Sequence, residues 1–321
     1  MIVPLLLKKH SNVLISGCGG GFDFFCGSPI GLELEKRGHK VVYSSYSFSG
    51  LHNVTSSNKV ADTVTIVDEK SKMKDDGLMS KYFPEKFFCE WYQRTYGVST
   101  KVFCYQGVSI ARLTEVFSLL YEIEKIDYHF VVDGGCDGVF RGDEYDLGSP
   151  STDAISIIAA NLSKSVSNKY YVMTAFGTEG YAKQVSHAQA LNRVADITAS
   201  GKTVLVSSIT NDPELSKAFR SAFDYISKAM PMKFQSTIGG SIAFSLDGKF
   251  GDQVVNQKTR NSPVWISPLT SLLWYLDLDA VAKNKLYYKE VLSAETSMGV
   301  ALAVEKFIES RSRKERDSIP I

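Results

Sequence analysis

The sequence predicts an α/β protein with a mainly parallel, Rossmann-like, doubly wound sheet between two helical layers, a three-layer α/β/α arrangement. Three observations predict it. Short β-branched runs alternate with amphipathic helical patterns along most of the 321 residues. The runs at 128–133 and 170–175 are almost wholly apolar, as is typical of parallel strands covered on both faces. Glycine-rich stretches follow several predicted strand ends, where open parallel sheets bind their ligands.

The first half of the chain predicts a strand–helix–strand opening. Strands are expected at 13–15, 40–43, 64–67 and 102–105, and helices at 29–37 and 110–124. Ser28 before Pro29 predicts an N-cap with proline in the first helical position, and Gly38 suits the C-terminal end. Residues 68–100 are charged and rich in aromatics, so an irregular excursion with a short helix around 85–95 is expected there.

The second half continues the alternation. Strands are predicted at 128–133, 170–175, 203–207 and 242–245, with further apolar runs at 264–266 and 272–276, and helices at 152–162, 185–198, 213–230 and 297–311. Ser151 or Thr152 is the expected cap of the helix at 152–162. We find no repeat and no low-complexity linker, so residues 1–321 are expected to form a single domain that contains the excursion.

The composition restricts the class of protein. Apolar residues make up 44% and charged residues 22%, and the net charge is +1, so the charge balance does not indicate a nucleic-acid or membrane partner. A small-molecule ligand is expected, and a homo-oligomer stays open. The five cysteines include no CxxC pair, and the apolar run at 2–7 is too short to span a membrane. We therefore expect a cytoplasmic protein.

The densest group of chemically active residues follows the strand at 128–133. The candidate catalytic residues there are Asp133, Asp137, Arg141, Asp143 and Glu144. Gly134 and Gly135 stand beside them as candidate ligand contacts. Carboxylates at the end of a parallel strand can bind a divalent cation, hold ribose hydroxyls or act as acid and base, and an arginine can neutralise an anion. A solvated acidic loop with an internally paired arginine is the alternative.

A second candidate site lies after the first strand. Gly19, Gly20 and Gly21 followed by Asp23 would let backbone amides approach a phosphate or a carboxylate at a strand-to-helix turn. A tight turn that requires positive φ is the alternative. Phe22 occupies the place of the last glycine of the dinucleotide fingerprint, and no acid follows the second strand. The pattern therefore departs from a standard nicotinamide-nucleotide signature.

Other residues are expected near the same cleft. Asp153, Gly177 and Glu179 are further candidate ligand-binding residues, because each follows a neighbouring strand or starts the next helix. His187 is considered as a base, against a structural histidine. The stretches 237–241 and 259–262 are considered as loops near a ligand. Cys18 and Cys136 lie in glycine loops, but a nucleophilic thiol would need a neighbouring base.

These motifs resemble the family catalogued as domain of unknown function 1152, found mostly in archaea and bacteria. The resemblance rests on several short motifs, namely Gly19-Gly20-Gly21-x-Asp23, Asp133-Gly134-Gly135-x-Asp137, Arg141-Gly142-Asp143-Glu144, Leu147-Gly148, Pro150-x-x-Asp153-Ala154 and Ser267-Pro268-Leu269. Phe22 and Ser149 depart from the pattern, where glycine and threonine are usual. The resemblance implies one full-length domain centred on the acid–glycine loop, and it implies no reaction.

The leading functional hypothesis is an enzyme, a transferase or hydrolase, acting on a small phosphorylated or nucleotide-like ligand. Gly19 to Gly21 would hold the anion, Asp133 and Asp137 would bind hydroxyls or a divalent cation, and Asp143 or Glu144 would be the acid or base. No particular cofactor is assigned beyond a possible divalent cation or nucleotide. The alternatives are an NAD(P)-dependent oxidoreductase and a non-catalytic metabolite sensor or scaffold.

Overall fold

The fold is described from a computed structural model that covers residues 3, 7–55, 58–74, 77, 81–180, 185–312 and 314–315. The strands in these residues are β1 Asn12–Gly20, β2 Lys40–Tyr46, β3 Lys59–Ala61, β4 Val64–Val67, β5 Val102–Tyr105, β6 Tyr128–Gly134, β7 Asn168–Thr174, β8 Thr203–Ser208, β9 Gly251–Gln253, β10 Val264–Ile266 and β11 Leu272–Asp277. The helices are α1 Asp23–Cys26, α2 Ser28–Lys36, α3 Pro84–Tyr96, α4 Ile110–Ile123, α5 Pro150–Leu162, α6 His187–Ala199, α7 Pro213–Ala229, α8 Thr237–Leu246, α9 Leu278–Lys283, α10 Tyr288–Leu292 and α11 Ser297–Glu309.

Nine strands form one sheet in the order β3-β4-β5-β2-β1-β6-β7-β11-β8, while β9 and β10 form a separate hairpin. The five strands from β5 to β7 are parallel. The chain moves outward from β1 through β2 to β5, and then returns to place β6 on the other side of β1. The strand order therefore reverses between β1 and β6, and this reversal opens a crevice at their carboxyl ends.

The central strands are apolar because both faces are covered. Residues 13–19 of β1 and all of β6 are buried. One apolar cluster packs the sheet against α4, α5, α9 and α11, and a second packs the opposite face against α2, α3, α7 and α8. The predicted three-layer α/β/α class is confirmed. Within the described residues, no helix is both long and apolar enough to cross a membrane.

The predicted strand at 242–245 is wrong, because these residues lie in helix α8. The Ser236 hydroxyl caps this helix by accepting a hydrogen bond from the Gly239 amide at 3.0 Å. Gly239 and Gly240 have no side chain, which lets the helix approach Phe223 and Val255 closely. The apolar run is therefore a buried helix, which periodicity alone does not distinguish from a buried strand.

Two predicted helix starts are also wrong. Gly27 is the N-cap of α2, and the helix already contains Ser28 because the short α1 leads directly into it. Ser149 is the N-cap of α5, and Ser151 and Thr152 lie inside the helix. Pro29 stands in the first turn of α2, as the sequence predicts, whereas Pro150, predicted to precede the helix, is the first residue of α5.

The sheet edges differ from a simple alternation. The strand predicted at 64–67 forms, but it runs antiparallel at one edge, so β5 is the third parallel strand in chain order. At the other edge, β11 runs antiparallel between β7 and β8. Residues from the last fifth of the chain therefore lie inside the sheet, beside a strand formed a hundred residues earlier.

Lys169 at the start of β7 fixes the C-terminal end of α5. Its ammonium group donates to the carbonyl oxygens of Ala160, Asn161 and Ser163 at 2.7, 3.1 and 2.7 Å. We expect Lys169→Met to lower the free energy of unfolding by about 2 kcal/mol, because three helix-end carbonyls lose a charged donor. The exposed Lys164 makes a single 3.2 Å bond to Asn161, so Lys164→Met is the matched control. Equal losses in urea unfolding of the two variants would contradict this account.

Candidate functional site

A pocket of about 460 Å³ opens at the reversal between β1 and β6. Its walls come from the glycine loop at 19–23, the end of β6, the turn at 148–153, Glu179 and the start of α8. The separate loops singled out after three strands therefore meet in one cavity, at the place where open α/β sheets bind ligands.

Five carboxyl groups line this pocket. Among the described residues these are Asp23 at the start of α1, Asp133 near the end of β6, Asp137 in the turn that follows, Asp153 in the first turn of α5 and Glu179 in the turn after β7. The three aspartates at positions 133, 137 and 153 are at most 5% exposed, whereas Asp23 and Glu179 are half-buried. All five were singled out from the sequence, and the fold brings them together because each follows the carboxyl end of a central strand or begins a helix there.

Most of these carboxylates accept fixed hydrogen bonds from the chain. Asp133 accepts from the Tyr171 hydroxyl and from the Gly138 amide, the latter at 3.0 Å. Asp137 accepts from the amide of Ser149 at 2.6 Å. These donors hold the carboxylates of the pocket floor in defined orientations.

The two half-buried acids are also anchored by amides. The Gly19 amide donates to Asp23 at 2.8 Å, and Glu179 accepts from the amides of Cys136 and Asp137, the latter at 3.0 Å. Main-chain donors stabilise charged oxygens without bringing a competing positive charge into the pocket. The site therefore keeps its excess of negative groups.

The glycines of the site make room for the acids. A methyl group on Gly19 would lie 2.5 Å from Asp153 Oδ1 and 2.6 Å from Asp23 Oδ2. Side chains at four further glycines would also collide with an acid, and the pairs are Gly134 with Asp23, Gly138 with Asp133, Gly148 with Asp137, and Gly135 with Glu179. At these five positions the carboxylates pack directly against bare backbone.

Mutual repulsion and burial make these groups hard to ionise. Burial, reinforced by Asp137, raises the pKa of Asp133 to about 7. Burial likewise raises the pKa of Asp23, with Asp133 adding to the effect, and that of Asp153, with Asp137 and Asp133 adding. Near neutral pH these carboxyl groups therefore retain protons that isolated carboxylic acids would lose.

One buried cation lies behind the floor. The Lys285 ammonium donates to the carbonyl oxygens of Gly138 and Phe140, both at 2.6 Å, and it is 3% exposed. Burial lowers its pKa, while Asp153 opposes that shift. Lys285 fixes the turn that carries Asp137 and partly balances the acids from the side opposite the opening.

Asp153 differs from the other acids. Within the described part of the chain its Oδ2 is buried and has no hydrogen-bond partner, although the residue lines the pocket. A buried carboxylate oxygen without a partner is costly, so an unmet donor or cation is indicated at this point. Among residues with a described placement, no three acid, histidine or cysteine side chains form a ready-made metal site.

The wall opposite the acids has a different character. Ser236, Thr237 and Ile238 place the N-terminus of α8 at the pocket, with Lys258 beside it. The first amides of a ten-residue helix and a lysine favour an anion. The stretch 237–241, predicted as a loop near a ligand, thus contributes to the pocket as a helix start. In the stretch 259–262 none of the residues lines it.

Three of the candidate catalytic residues lie outside the pocket lining. Glu144 accepts hydrogen bonds from the amides of Arg141 and Gly142 and lies 3.7 Å from Arg193. Arg141 lies 3.5 Å from Asp143, which also pairs with Lys314. Arg141, Asp143 and Glu144 therefore form a network that supports the loop and faces away from the five acids.

His187 and the loop cysteines occupy structural positions. His187 packs against Phe176 and Trp265 and lies over Gly177, so neither His187 nor Gly177 lines the pocket. Burial raises the pKa of the thiols of Cys18 and Cys136, with neighbouring acids adding to the effect. Protonated, buried thiols are poor nucleophiles.

Sequence reasoning missed several residues of the site. Lys285 lies in a lysine-rich stretch between α9 and α10 whose sequence resembles a solvated surface, and its contact with the turn after β6 spans 147 residues. Tyr171 gave a usable signal, because its hydroxyl needs a partner within an otherwise apolar buried strand. Phe48, Tyr82 and Phe234 at the opening gave no signal beyond their aromatic character.

The comparisons with known proteins yield one match. A model of the family described as "Protein of unknown function (DUF1152)" matches residues 50–315. Neither a curated protein nor a solved structure matches the chain. The matched range contains the acids at 133, 137, 153 and 179 and begins after the glycine loop at 19–23.

Asp133→Asn tests the repulsion in the pocket. Because the pKa of Asp133 is about 7 in the folded protein and near 4 in the unfolded chain, the folded state binds the extra proton between these values. Its ionisation therefore destabilises the fold as the pH rises through 7. At pH 8 we expect the free energy of unfolding of Asp133→Asn to exceed that of the wild type by about 1–3 kcal/mol, with a correspondingly higher melting temperature. Most of this difference should be lost at pH 5. A variant less stable by the same amount at both pH values would contradict the assignment.

Proposed function

The chain belongs to the DUF1152 family, which brings no reaction with it, and we propose that it is an enzyme acting on a small phosphorylated metabolite bound as a complex with a divalent cation. The observation that carries the proposal is the unpartnered, buried Asp153 Oδ2 within a pocket lined by five acids. Burial keeps these acids protonated, and a divalent cation between them and a phosphate would stabilise the ionised carboxylates and the phosphate together.

The chemistry of Mg²⁺ fits this arrangement. Mg²⁺ usually keeps several waters and binds through one or two carboxylates plus the phosphate oxygens of a substrate. A pocket lined by several acids is suited to that mode. Asp153, whose Oδ2 accepts no hydrogen bond from the described residues, is the first candidate ligand. Asp23 is the second, because its Oδ2 and the other oxygen of Asp153, Oδ1, both lie beside Gly19.

The phosphate would lie toward the opposite wall. There the amides at the start of α8 and the Lys258 ammonium supply positive potential. The glycine loop is less suited to this role than the sequence suggested. The Gly19 amide donates to Asp23, and the Gly21 amide donates to the carbonyl of Tyr46 at 3.2 Å. The same two contacts occupy amides that a dinucleotide pyrophosphate would need, so they weaken the nicotinamide alternative.

Asp133 is the residue suited to move the proton. With a pKa of about 7 it exchanges a proton near neutral pH, which is what a general base requires. In the proposed reaction the oxygen of water or of a second substrate attacks phosphorus and gives its proton to Asp133. The bond from phosphorus to the leaving oxygen breaks, and its electron pair stays on that oxygen. A divalent cation held by Asp153 and Asp23 would supply positive charge to balance it.

Binding of a cation–phosphate complex can be measured by thermal unfolding. We expect Mg²⁺ and pyrophosphate together to raise the melting temperature of the wild type, and each alone to have a much smaller effect. Asp153→Asn should abolish the joint effect, because the neutral amide loses the charge that holds the cation. Asp62→Asn, in the exposed turn after β3, is the matched control and should respond like the wild type.

Two results would contradict this binding mode. One is an equal rise in melting temperature with pyrophosphate in EDTA, which would show that no cation is needed. The other is an undiminished joint effect in Asp153→Asn, which would place the ligand elsewhere.

Turnover separates an enzyme from a metabolite sensor. Phosphate release from Mg-pyrophosphate, MgADP and p-nitrophenyl phosphate is measured for the wild type and Asp133→Asn. We expect a wild-type rate that rises with pH through about 7, as Asp133 becomes deprotonated, and a loss of about 100-fold or more in the variant with binding retained. Binding without release from any of the three probes would favour the sensor.

A further inference from the structure

We propose that the aromatic residues at the opening of the pocket bind a planar heteroaromatic ring, so that the phosphorylated ligand is a nucleotide. This inference rests on the proposed function and names its substrate class. The ring would bind at the outer part of the pocket, which is lined by Phe48, Tyr82 and Phe234. The cation and the phosphate would bind at the floor and at the start of α8.

Phe48 has the exposure and the placement of a stacking platform. Its ring lies against Gly20 so closely that a methyl group there would overlap it. The phenyl group is nevertheless 48% exposed, although it belongs to the pocket lining. A large apolar ring kept open to solvent at a polar cavity is a feature of sites that stack a planar ligand.

The loop that carries Phe48 is firmly held. Ser47 and Ser49 on either side are fully buried. The hydroxyls of Ser45 and Ser49 donate to the buried Glu85 at 2.9 and 2.8 Å, and the Ser47 amide donates to the carbonyl of Tyr105 at 2.8 Å. Phe48 is thus presented to the opening by an anchored backbone, which lowers the entropy that stacking would otherwise cost.

A second aromatic pair belongs to the same opening. Tyr82 and Phe234 contact each other edge to face, with ring centroids 5.4 Å apart, and both line the pocket. The Tyr82 hydroxyl lies over Gly21, next to the glycine that Phe48 covers. The opening therefore offers ring surfaces from three separate segments of the chain.

The spacing suits a single small molecule. Gly20 supports Phe48, and the adjacent Gly19 touches Asp153 and Asp23. Phe48 and the acids line the same pocket of about 460 Å³, a volume within the range of small-molecule sites. One nucleotide could therefore contact the Phe48 ring with its base and a cation at the acids with its phosphates.

The experiment compares two probes that share the cation-bound phosphates and differ in the ring. Titration calorimetry measures MgADP and Mg-pyrophosphate against the wild type, Phe48→Ala, Phe48→Tyr and Phe250→Ala. Phe250 is 46% exposed and lies outside the pocket lining, which makes it the matched control. We expect the wild type to bind MgADP at least about 10-fold more tightly than Mg-pyrophosphate, since stacking of a base on an aromatic ring contributes roughly 5- to 150-fold.

Phe48→Ala should remove most of this preference while leaving Mg-pyrophosphate binding unchanged, and Phe48→Tyr and Phe250→Ala should keep it. Equal affinities of the wild type for the two probes would overturn the inference and leave the proposed function standing. If Phe48→Ala loses affinity for both probes to the same degree, the role of Phe48 is structural, and this result would also overturn the inference. If neither probe binds the wild type, the proposed function and the inference fall together.

Discussion

Repulsion among five carboxyl groups is the constraint on which the site and its surroundings depend. Acids that share one pocket raise each other's pKa, and each unit of such a shift corresponds to about 1.4 kcal/mol. Main-chain amides and the Tyr171 hydroxyl stabilise the acids by hydrogen bonds, and the Lys285 ammonium behind the floor adds positive charge. These donors leave the pocket open. Among the described residues, none donates a hydrogen bond to Asp153 Oδ2. The crowding of these acids is thus energetically unfavourable, as the arrangement of residues in sites that bind and act on ligands often is.

The positions of the acids in this site depend on the neighbouring glycines. A side chain at Gly19 would leave no space for Asp153, and a side chain at Gly148 would leave none for Asp137. The main role of these glycines is therefore to leave space for the carboxylates. Positive φ at Gly21, Gly148 and Gly177 adds a second reason at those positions, because other residues adopt that backbone conformation at a cost. Glycine-rich loops after strands are commonly associated with phosphate binding, and here the phosphate-binding potential lies at the start of α8.

The sequence was sufficient for the fold class and for the acids, and the physical reasons are clear. Runs such as residues 128–133 lack polar alternation because both faces are covered, and the ends of parallel strands meet at one edge of the sheet. The roles of Arg141, Asp143 and Glu144 could not be predicted, since the direction of a loop side chain depends on Arg193 and Lys314, which are distant in sequence. Residues 242–245 show the same limit, because a buried helix and a buried strand present the same apolar run.

The position of β11 has a consequence for synthesis of the chain. Strand β8 pairs with β11, and β11 pairs with β7, so β8 has no neighbour in the sheet until residue 277 has left the ribosome. Lys285 follows only eight residues later. A nascent chain that already carries all five acids thus lacks both the strand that completes its sheet and the ammonium group beneath its most crowded negative charges. Closure of the sheet and support of the pocket therefore depend on residues that are synthesised after all five acids.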